Sequence, residues 1–167
     1  MTHLFAHVYH SPVGPLYLAV DRTGAAVRIA YHDFFPGPSD ESFEINKYAC
    51  GELEYQLEQY FAGERRTFTV PVNYGGTPFQ LSVWGRLRKL NFGETITYGA
   101  LAQKIGHRMG AQAVGGAVAV NPVVIVVPCH RVVPASGGIG NYAKRTLGEV
   151  EGRRIKEKLL GLEQSSR

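Results

Sequence analysis

The chain has 167 residues, of which 44% are hydrophobic, and a formal net charge of +4 at pH 7. This length is sufficient to bury a core as one domain or as two small ones. No apolar run approaches the roughly 20 residues of a membrane-spanning helix, and the opening MTHLFAHVYH lacks the basic region and long apolar core of a secretory signal. With only Cys50 and Cys129, one disulfide is conceivable, but there is neither a disulfide framework nor a metal-spaced pair, so we expect a reducing, cytoplasmic location.

Charge is distributed unevenly along the chain. Residues 1–76 hold five Lys/Arg and nine Asp/Glu, a net charge of −4, whereas residues 77–167 hold thirteen and five, a net charge of +8. A basic half of this kind favours contact with a polyanion such as nucleic acid. Solvated basic faces are also common, so charge alone leaves both interpretations open.

The first half of the chain is predicted to be a sheet with one helix packed on it. Segments rich in β-forming residues, the first three separated by the turns SPVG and DRTG, predict the strands LFAHVYH, PLYLAV, AAVRIAYH and RTFTVPV. The stretch FFPGPSDESF, with two prolines and a glycine, is expected to be a loop. A helix that ends near Gly63 is predicted by residues at helical spacing, namely Cys50, Leu53, Leu57, Tyr60 and Phe61.

The second half is predicted to be mainly helical. A linker is expected at NYGGTP, residues 73–78, where glycines and a proline coincide with the change of charge. A helix then follows over PFQLSVWGRLRKL, and two shorter helices come next: TYGALAQKIG, with Thr97 as N-cap and Gly106 as its end, and the small-residue segment GAQAVGGAVAVN. This pair fits a helix-turn-helix, although Ala/Gly-rich helices also occur where a core is tight.

The stretch NPVVIVVPCHRVVP places reactive side chains directly after a strongly apolar run. Five branched residues, Val123 to Val127, predict a buried strand, and Pro128 suits the first position of a helical turn. Cys129 would then lie near a helix N-terminus. There the dipole and free N–H groups, together with His130 and Arg131, would lower the thiol pKa below about 8.5.

Two features of this cysteine stay open at the level of the residues alone. Free cysteine is among the most buried residue types, so Cys129 could also be a structural core thiol. In an extended strand, Cys129 and His130 would point to opposite faces. Their contact therefore requires a turn or a bridging water.

Around this cysteine, the sequence resembles a known family. PCHRVV, preceded by NPVVIVV and followed by GNY, is similar to the active-site segment of O6-alkylguanine-DNA alkyltransferases. FQLSVW, FGETITYGALA, AVGGA and NP occur in that family's order and spacing, and SPVGPL resembles the opening hairpin of its N-terminal domain. The resemblance implies a protein that binds duplex DNA, flips the damaged guanine out, and moves the alkyl group from its O6 onto a cysteine that is never regenerated.

The resemblance implies a role in the reaction for five residues. Cys129 matches the nucleophile, His130 the base that activates it through a water, and Glu163 the carboxylate that orients the histidine. Asn121 matches a hinge between the DNA-binding helix and the cysteine segment, and Tyr98 matches the tyrosine that rotates the phosphate and protonates the leaving guanine at N3. Without the resemblance, Glu163 would be interpreted as a solvated helix residue.

The resemblance also implies which residues hold the guanine. Tyr142 matches a wall of the pocket, and Ile139 is assigned to the same substrate-binding set. Arg131 is assigned to this set as well and is expected to support the site structurally. The carbonyl groups of Cys129 and Val132 are expected to accept the guanine amino group.

Two departures from the family pattern affect DNA binding and the pocket. Gln112 occupies the recognition-helix position where the family usually has an arginine that replaces the flipped base. Glutamine can hydrogen-bond the orphaned cytosine but brings no charge. Alternatively, Gln112 only lines the helix surface, and Arg108 or another basic residue inserts into the base stack. After GNY, the segment AKRTLGEVEG, residues 143–152, is an insertion that takes the place of paired glycines, so the lid of the pocket is expected to differ from the family's.

No metal or cofactor is expected. The cysteine ligands that hold a structural zinc in some relatives are absent from this chain. His3, His7 and His10 could chelate a metal, but their spacing does not keep all three on one face of a strand. A polar strand face is the favoured interpretation of these histidines.

The sequence therefore predicts an α+β protein with two domains. An N-terminal ribonuclease H-like α/β domain covers residues 1–76, and a C-terminal helical domain with the helix-turn-helix covers residues 77–167. The expected function is DNA repair by one irreversible transfer of an alkyl group from O6 of guanine in double-stranded DNA to Cys129. We expect a monomer in the cytoplasm, associated with the nucleoid if the source is a bacterium or archaeon, and clustering on DNA stays open.

Two alternatives to this function remain. A non-catalytic lesion-binding or regulatory module of the same fold is the first, and the presence of Cys129 argues against it because such relatives lack the cysteine. A thiol hydrolase is the second; it would turn over, whereas an alkyltransferase stops at one equivalent.

Overall fold

The chain folds into two compact units, Met1–Tyr74 and Gly75–Arg167. The computed structural model describes residues 3–35, 42–106 and 110–165. The division between the units falls inside the segment where the sequence predicts a linker, and the domain limits stay a prediction. A sheet dominates the first unit and helices dominate the second, which confirms the predicted α+β class.

Four strands form the sheet of the first unit: β1 (Leu4–Ser11), β2 (Gly14–Val20), β3 (Ala26–Ala30) and β4 (Phe43–Ile45). Their order across the sheet is β3-β2-β1-β4. The pairs β1–β2 and β2–β3 are antiparallel, whereas β4 runs parallel to β1. The hairpin between β1 and β2 lies at the predicted SPVG turn.

Helix α1 (Gly51–Phe61) packs against β1 and completes the core of this unit. Leu16 and Leu18 of β2 are both fully buried, as two residues on the same face of a strand should be when that face lies in a core. Leu53 and Leu57 of α1 are buried at the predicted helical spacing.

The predicted strand RTFTVPV is wrong. Only Val72 of this segment forms a bridge to the sheet, an isolated parallel one to β3. The backbone N–H groups of Thr69 and Val70 donate instead to the side-chain oxygen of Gln56, at 2.9 and 3.3 Å, and Pro71 has no N–H to offer a ladder. The side-chain amide of Gln56 on α1 therefore accepts hydrogen bonds from backbone N–H groups that would have paired with a neighbouring strand.

The loop predicted over FFPGPSDESF ends earlier than expected, because its last residue, Phe43, begins β4. The short strand is held by parallel pairing with β1, which local sequence does not reveal. Residues 36–41 of the predicted loop lie outside the described residues.

The regular elements of the second unit are α2 (Pro78–Leu87), β5 (Ile96–Thr97), α3 (Tyr98–Lys104), α4 (Gly110–Ala119), a 3-10 turn (Cys129–Arg131), β6 (Val132–Val133) and α5 (Lys144–Ser165). Helices α3 and α4 pack against each other as the predicted pair of short helices; residues 107–109 between them lie outside the described part of the chain. The hydroxyl oxygen of Thr97 accepts a hydrogen bond from the backbone N–H of Ala100 at 3.1 Å, so the predicted N-cap is confirmed.

Strands β5 and β6 place two parts of the sequence side by side. They pair in parallel, with Ile96 opposite Val132 and Thr97 opposite Val133. Because β5 leads directly into α3 and β6 directly follows the 3-10 turn, the start of α3 lies beside the segment that contains the cysteine.

The apolar run Val123–Val127 is buried, but the predicted strand is wrong. The run folds back on itself in a turn: the N–H of Val126 donates to the carbonyl of Val124 at 2.8 Å, and the N–H of Val127 donates to the carbonyl of Val123 at 2.9 Å. Ile125 has φ 73, a left-handed conformation that is rare for a β-branched residue. Burial alone therefore explains the composition of this run, since a buried turn needs apolar side chains as much as a buried strand does.

Helix α5 carries the last part of the chain and is interrupted near its start. Gly148 has φ 80 and ψ 171, so a single turn over 144–147 is separated from the long helix that follows. A positive φ of this kind is readily adopted by glycine. Within the described residues, none of the helices is both long enough and apolar enough to cross a membrane.

Candidate active site

Cys129 is the first residue of the 3-10 turn and lies directly after the apolar turn. Its backbone N–H donates to the carbonyl of Val127 at 2.8 Å, and only 6% of the residue is exposed. Burial raises the pKa of the Cys129 thiol, and this effect outweighs the lowering by the side chain of Asn121 and the charge of Lys156. The predicted lowering of the thiol pKa is therefore wrong, because removal from water outweighs the nearby donors and charge.

Asn121 connects α4 to the cysteine segment. Its side-chain oxygen accepts from the N–H of Val123 at 2.9 Å, and its side-chain nitrogen donates to the carbonyl of Val127 at 2.8 Å. Its amide also interacts with the thiol of Cys129. One side chain thus braces both ends of the apolar turn and reaches the sulfur, at the position where the resemblance implies a hinge.

His130 and Glu163 form a fully buried pair. The Nε2 atom of His130 lies 2.6 Å from Oε2 of Glu163, and neither side chain is exposed. Arg131 donates to the same carboxylate through Nε at 2.8 Å and through Nη2 at 3.2 Å, and the N–H of Gly93 donates at 3.2 Å. Burial alone would raise the pKa of Glu163, but its contacts with His130 and Arg131 hold that pKa far below the usual range.

The hydrogen bond to Glu163 determines which nitrogen of His130 carries the proton. Burial lowers the pKa of His130 despite the neighbouring carboxylate, so the imidazole is neutral near pH 7. An ionised carboxylate can only accept, so we assign the proton to Nε2 and leave Nδ1 with a free lone pair. Nδ1 is buried, and among the described residues it has no hydrogen-bond partner. This nitrogen is therefore a buried proton acceptor.

The 3-10 turn also resolves the geometry of the two adjacent reactive residues. Cys129 and His130 are consecutive in a helical turn, where side chains are about 120° apart instead of on opposite faces. An extended strand would have separated them. This turn is one of the two arrangements that the sequence left open.

Arg131 is a buried structural cation. Besides its contacts with Glu163, its Nη1 donates to the carbonyl of Leu90 at 3.0 Å. All three of its guanidinium nitrogens are thus bound to protein acceptors. The side chain fixes the Glu163 carboxylate.

Lys156 of α5 is a residue of this site that sequence reasoning missed. It is only 1% exposed, and its Nζ donates to the carbonyl of Val132 at 2.7 Å and to the carbonyl of Asn141 at 3.4 Å. Burial lowers its pKa to about 8, although the Cys129 thiolate favours the charged form. The available signal was helical spacing, because Lys156 follows the apolar Ile155 and precedes helix positions that are buried one and two turns later. A lysine within the charged segment RRIKEK nevertheless suggests a solvated side chain.

Tyr98 begins α3, beside the cysteine segment. Its ring packs over Gly115 of α4, with Cδ1 and Cε1 each 3.8 Å from the place that a Cβ of residue 115 would take. Burial raises the pKa of the Tyr98 phenol, and the charge of Cys129 adds to this effect. The hydroxyl group therefore stays protonated at neutral pH within electrostatic range of the sulfur.

Tyr142 is 6% exposed, and its backbone is pressed against α5. A Cβ on Gly152 would lie 1.9 Å from the carbonyl oxygen of Tyr142, so only glycine permits this approach.

The carbonyl of Val132, which the resemblance assigns to the guanine amino group, already accepts a hydrogen bond from Lys156. Because a carbonyl oxygen has two lone pairs, it can still accept from a second donor.

The structure describes two of the three remaining candidates. Gln112 is exposed near the start of α4, and Ile139 is half-buried in the segment before α5. Within the described residues, no hydrogen bond joins the Gln112 side chain to the cluster around Cys129, and the apolar side chain of Ile139 has no group that could form one. Arg108, the alternative to Gln112, lies outside the described residues.

Two of the three N-terminal histidines have acidic neighbours. His3 lies 3.4 Å from a carboxylate oxygen of Glu44, and His7 lies 3.0 Å from one of Glu54. In the described part of the chain, no group of three or more His, Cys, Asp or Glu side chains is arranged to hold a metal ion.

Comparison with known proteins covers nearly the whole chain. Residues 4–74 match the family model of the 6-O-methylguanine DNA methyltransferase, ribonuclease-like domain, and residues 78–165 match that of the same enzyme's DNA binding domain. A methylated-DNA–protein-cysteine methyltransferase of Methanosarcina acetivorans is 40% identical over 166 residues, which cover 97% of this chain and 99% of the relative.

Solved structures agree with this relationship. The crystal structure of Mycobacterium tuberculosis O6-methylguanine methyltransferase has a TM-score of 0.83 and 36% sequence identity, covering 100% of this chain and 95% of that one. The crystal structure of Mycobacterium tuberculosis OGT in complex with DNA has a TM-score of 0.84 and 36% identity, covering 97% and 94%. These matches show that the chain belongs to the 6-O-methylguanine DNA methyltransferase family.

Proposed function

We propose that this protein repairs DNA by moving an alkyl group from O6 of guanine to the sulfur of Cys129 in a single, irreversible turnover. The observation that carries this proposal is the arrangement of His130, whose Nε2 is held 2.6 Å from the Glu163 carboxylate while Nδ1 is left as a buried acceptor. Such a base, adjacent to a buried thiol, is suited to activating a nucleophile.

The transfer begins with the thiol and not with a preformed thiolate, since burial raises the pKa of Cys129. The thiol proton passes to Nδ1 of His130 through a water as the sulfur attacks the alkyl carbon. Glu163 stabilises the imidazolium that forms, and its low pKa keeps it ionised throughout. The Cys129 thiolate that develops is stabilised by the charge of Lys156.

The S–C bond forms as the C–O6 bond breaks, and the electron pair of the broken bond stays on the guanine. The guanine takes a proton at N3 from the hydroxyl group of Tyr98, which burial keeps protonated. Water does not displace the thiolate from a thioether, so the cysteine is not regenerated. The alkyl group passes directly between two atoms, and no cofactor is needed.

The proposed partner is double-stranded DNA that contains an O6-alkylguanine. The basic second half, with its net charge of +8, would bind phosphates through the pair α3 and α4. The target base must leave the stack to reach a buried sulfur, a step that costs a few kcal/mol and that pocket contacts must offset. Tyr142, Ile139 and the carbonyl groups of Cys129 and Val132 would provide these contacts, with Gln112 filling the space left in the duplex. We expect a monomer that clusters on DNA, located in the cytoplasm where it reaches DNA.

Intact-protein mass after incubation with a duplex oligonucleotide containing O6-methylguanine tests the proposal. We expect the addition of one methyl group, on Cys129 by peptide mapping, and none in Cys129→Ser. The matched control is Cys50→Ser, which removes the other buried thiol of the chain and should still gain one methyl group. Continued release of repaired DNA beyond one equivalent would indicate a hydrolase, and DNA binding without any mass gain would indicate a non-catalytic lesion-binding module.

A further inference from the structure

Residues 143–151, which are all but the last residue of the predicted insertion 143–152, form a closed excursion at the edge of the proposed site. It leaves the chain at Tyr142 and returns at Gly152, whose backbone lies directly against the Tyr142 carbonyl oxygen. One residue before this junction, the carbonyl of Asn141 is bound to Lys156, which also binds Val132 in the strand that follows the cysteine turn. The base of the excursion is therefore fixed beside the proposed alkyl-acceptor site.

The first two side chains beyond Ala143 are cationic and exposed. Lys144 and Arg145 stand in the helical turn that precedes Gly148, and that turn is held by hydrogen bonds from the N–H groups of Thr146 and Leu147 to the Ala143 carbonyl at 3.1 and 2.9 Å. Within the described residues, neither cation takes part in a hydrogen bond or an ion pair. Both are therefore available to an external anion.

The acidic side chains of the segment do not neutralise these cations. Glu149 lies 3.9 Å from Arg153, and Glu151 forms a close ion pair with Arg154, so both carboxylates are matched by arginines of the long helix. The excursion and the first turn of that helix thus hold four cationic side chains against two carboxylates. The excess charge is concentrated on Lys144 and Arg145.

We propose that Lys144 and Arg145 form a second phosphate-binding element, which contacts the DNA backbone close to the flipped nucleotide. This rests on the proposed function, because a flipped guanine that reaches Cys129 brings its own phosphates to the edge of the pocket. Lys144 is two residues from Tyr142, so their Cα atoms are at most about 7 Å apart. Charges interact effectively within about 8 Å at physiological salt, which places backbone phosphates at this edge within range.

DNA fits this element better than an acidic protein does. The two cations are exposed and belong to a half-chain with net charge +8, and the family model over residues 78–165 is that of a DNA binding domain. Phosphate contacts by Lys and Arg require no shaped pocket, and the short exposed turn offers none. A lid that only excludes water or restricts the size of the alkyl group would have no need of the two cations, and it is the alternative outcome of the test.

The test compares Lys144→Gln/Arg145→Gln with Arg22→Gln/Lys47→Gln. The second variant removes the same charge from exposed positions of the acidic first unit. Affinity for an undamaged duplex is measured between 50 and 200 mM salt (about the range over which phosphate contacts are most visible). Loss of two phosphate contacts should reduce the slope of log K against log salt by about 1.8 and weaken binding about tenfold at physiological salt. The control variant should change the slope by less than about half of the value expected for one phosphate contact.

Reaction with free O6-benzylguanine distinguishes DNA contact from damage to the pocket. We expect Lys144→Gln/Arg145→Gln to react with the free base at the wild-type rate and to repair O6-methylguanine duplex more slowly. Equal salt slopes for the two double variants would overturn the proposal, and so would a slower reaction with the free base at an unchanged slope, which would indicate a lid. If Lys144→Gln/Arg145→Gln reduced the salt slope as expected but the wild-type protein gained no methyl group, the proposed function would fail and the phosphate-binding element would stand.

Discussion

The Nε2 atom of His130 lies 2.6 Å from Oε2 of Glu163, although the two residues are 33 positions apart in the chain and neither is exposed. The same carboxylate also accepts two hydrogen bonds from Arg131. A single ionised group therefore fixes the tautomer of the histidine and neutralises a buried arginine. Both the reactivity of Cys129 and the stability of the second unit should depend on this carboxylate.

Glu163→Gln should slow the alkylation of Cys129 by free O6-benzylguanine. Without the negative charge, His130 is a weaker base, and a general base contributes about 10²- to 10⁴-fold to a rate, so we expect a loss of at least about tenfold at pH 7. The pH–rate profile should move to higher pH, while affinity for undamaged DNA changes little. The control is Glu157→Gln, at an exposed position of the same helix. A pH–rate profile that coincides with that of wild type would show that Glu163 does not act through His130.

Glu163→Gln should also reveal that the contribution of this carboxylate to the free energy of unfolding depends on pH. The pKa of Glu163 in the folded protein is far below the value of about 4.3 in an unfolded chain, so its contribution is fully present above that pH and is lost as pH falls toward the folded pKa. Breaking a buried pair on one side costs about 3–5 kcal/mol at neutral pH. In urea unfolding at pH 7, 4 and 3, the difference in free energy of unfolding between wild type and Glu163→Gln should therefore shrink with acid. A difference that is constant across this range would contradict the assignment.

Lys156→Met should reveal how the ionisation of Lys156 changes the stability of the folded protein at alkaline pH. Burial lowers the pKa of Lys156 to about 8, below the value of about 10.4 in an unfolded chain. Between these values the unfolded chain binds one more proton, so raising the pH favours the folded state, by up to about 3 kcal/mol over the whole window. Wild type should gain this stability relative to Lys156→Met, whereas Lys158→Met, exposed on the same helix, should follow wild type. Urea unfolding at pH 7.5 and 10 measures the change, and parallel curves for wild type and Lys156→Met would rule it out.

The sequence could predict the fold class and the segments that carry the site, because hydrophobic spacing and the PCHRVV motif are local signals. The resemblance also linked His130 to Glu163, and their roles stay predictions. The left-handed turn at Ile125 escaped prediction because five branched apolar residues suit any buried backbone. The raised pKa of Cys129 and the burial of Lys156 escaped it for a related reason: both depend on how completely other segments exclude water, and tertiary packing alone determines that.

Gly152→Ala should disturb Tyr142, the proposed wall of the pocket. The added Cβ would lie 1.9 Å from the carbonyl oxygen of Tyr142, and backbone must move to relieve the overlap. We expect a loss of about 1–3 kcal/mol in stability, typical of overpacking, and a slower reaction with free O6-benzylguanine. The control Gly161→Ala meets no atom within 4 Å and should stabilise the helix by about 0.5–1 kcal/mol. Equal stability changes for the two variants would mean that the contact with Tyr142 is relieved without cost.

Gln112→Arg tests the position at which the resemblance predicts a departure from the family. Gln112 is exposed at the third position of α4, where its side chain could enter a duplex without leaving a buried group unpaired. An arginine there would add a charge-assisted hydrogen bond, about twice as strong as the neutral bond of glutamine, to the base left without its partner. This gain applies only when a stacked guanine must be extruded, so we expect repair of O6-methylguanine duplex to become severalfold faster, while reaction with free O6-benzylguanine is unchanged. Gln103→Arg, exposed on α3, adds the same charge without the insertion and should raise DNA affinity with no gain in repair beyond it. If Gln112→Arg and Gln103→Arg accelerate duplex repair equally, or if the rate with the free base changes as much as the rate with duplex, then Gln112 only lines the surface of the helix.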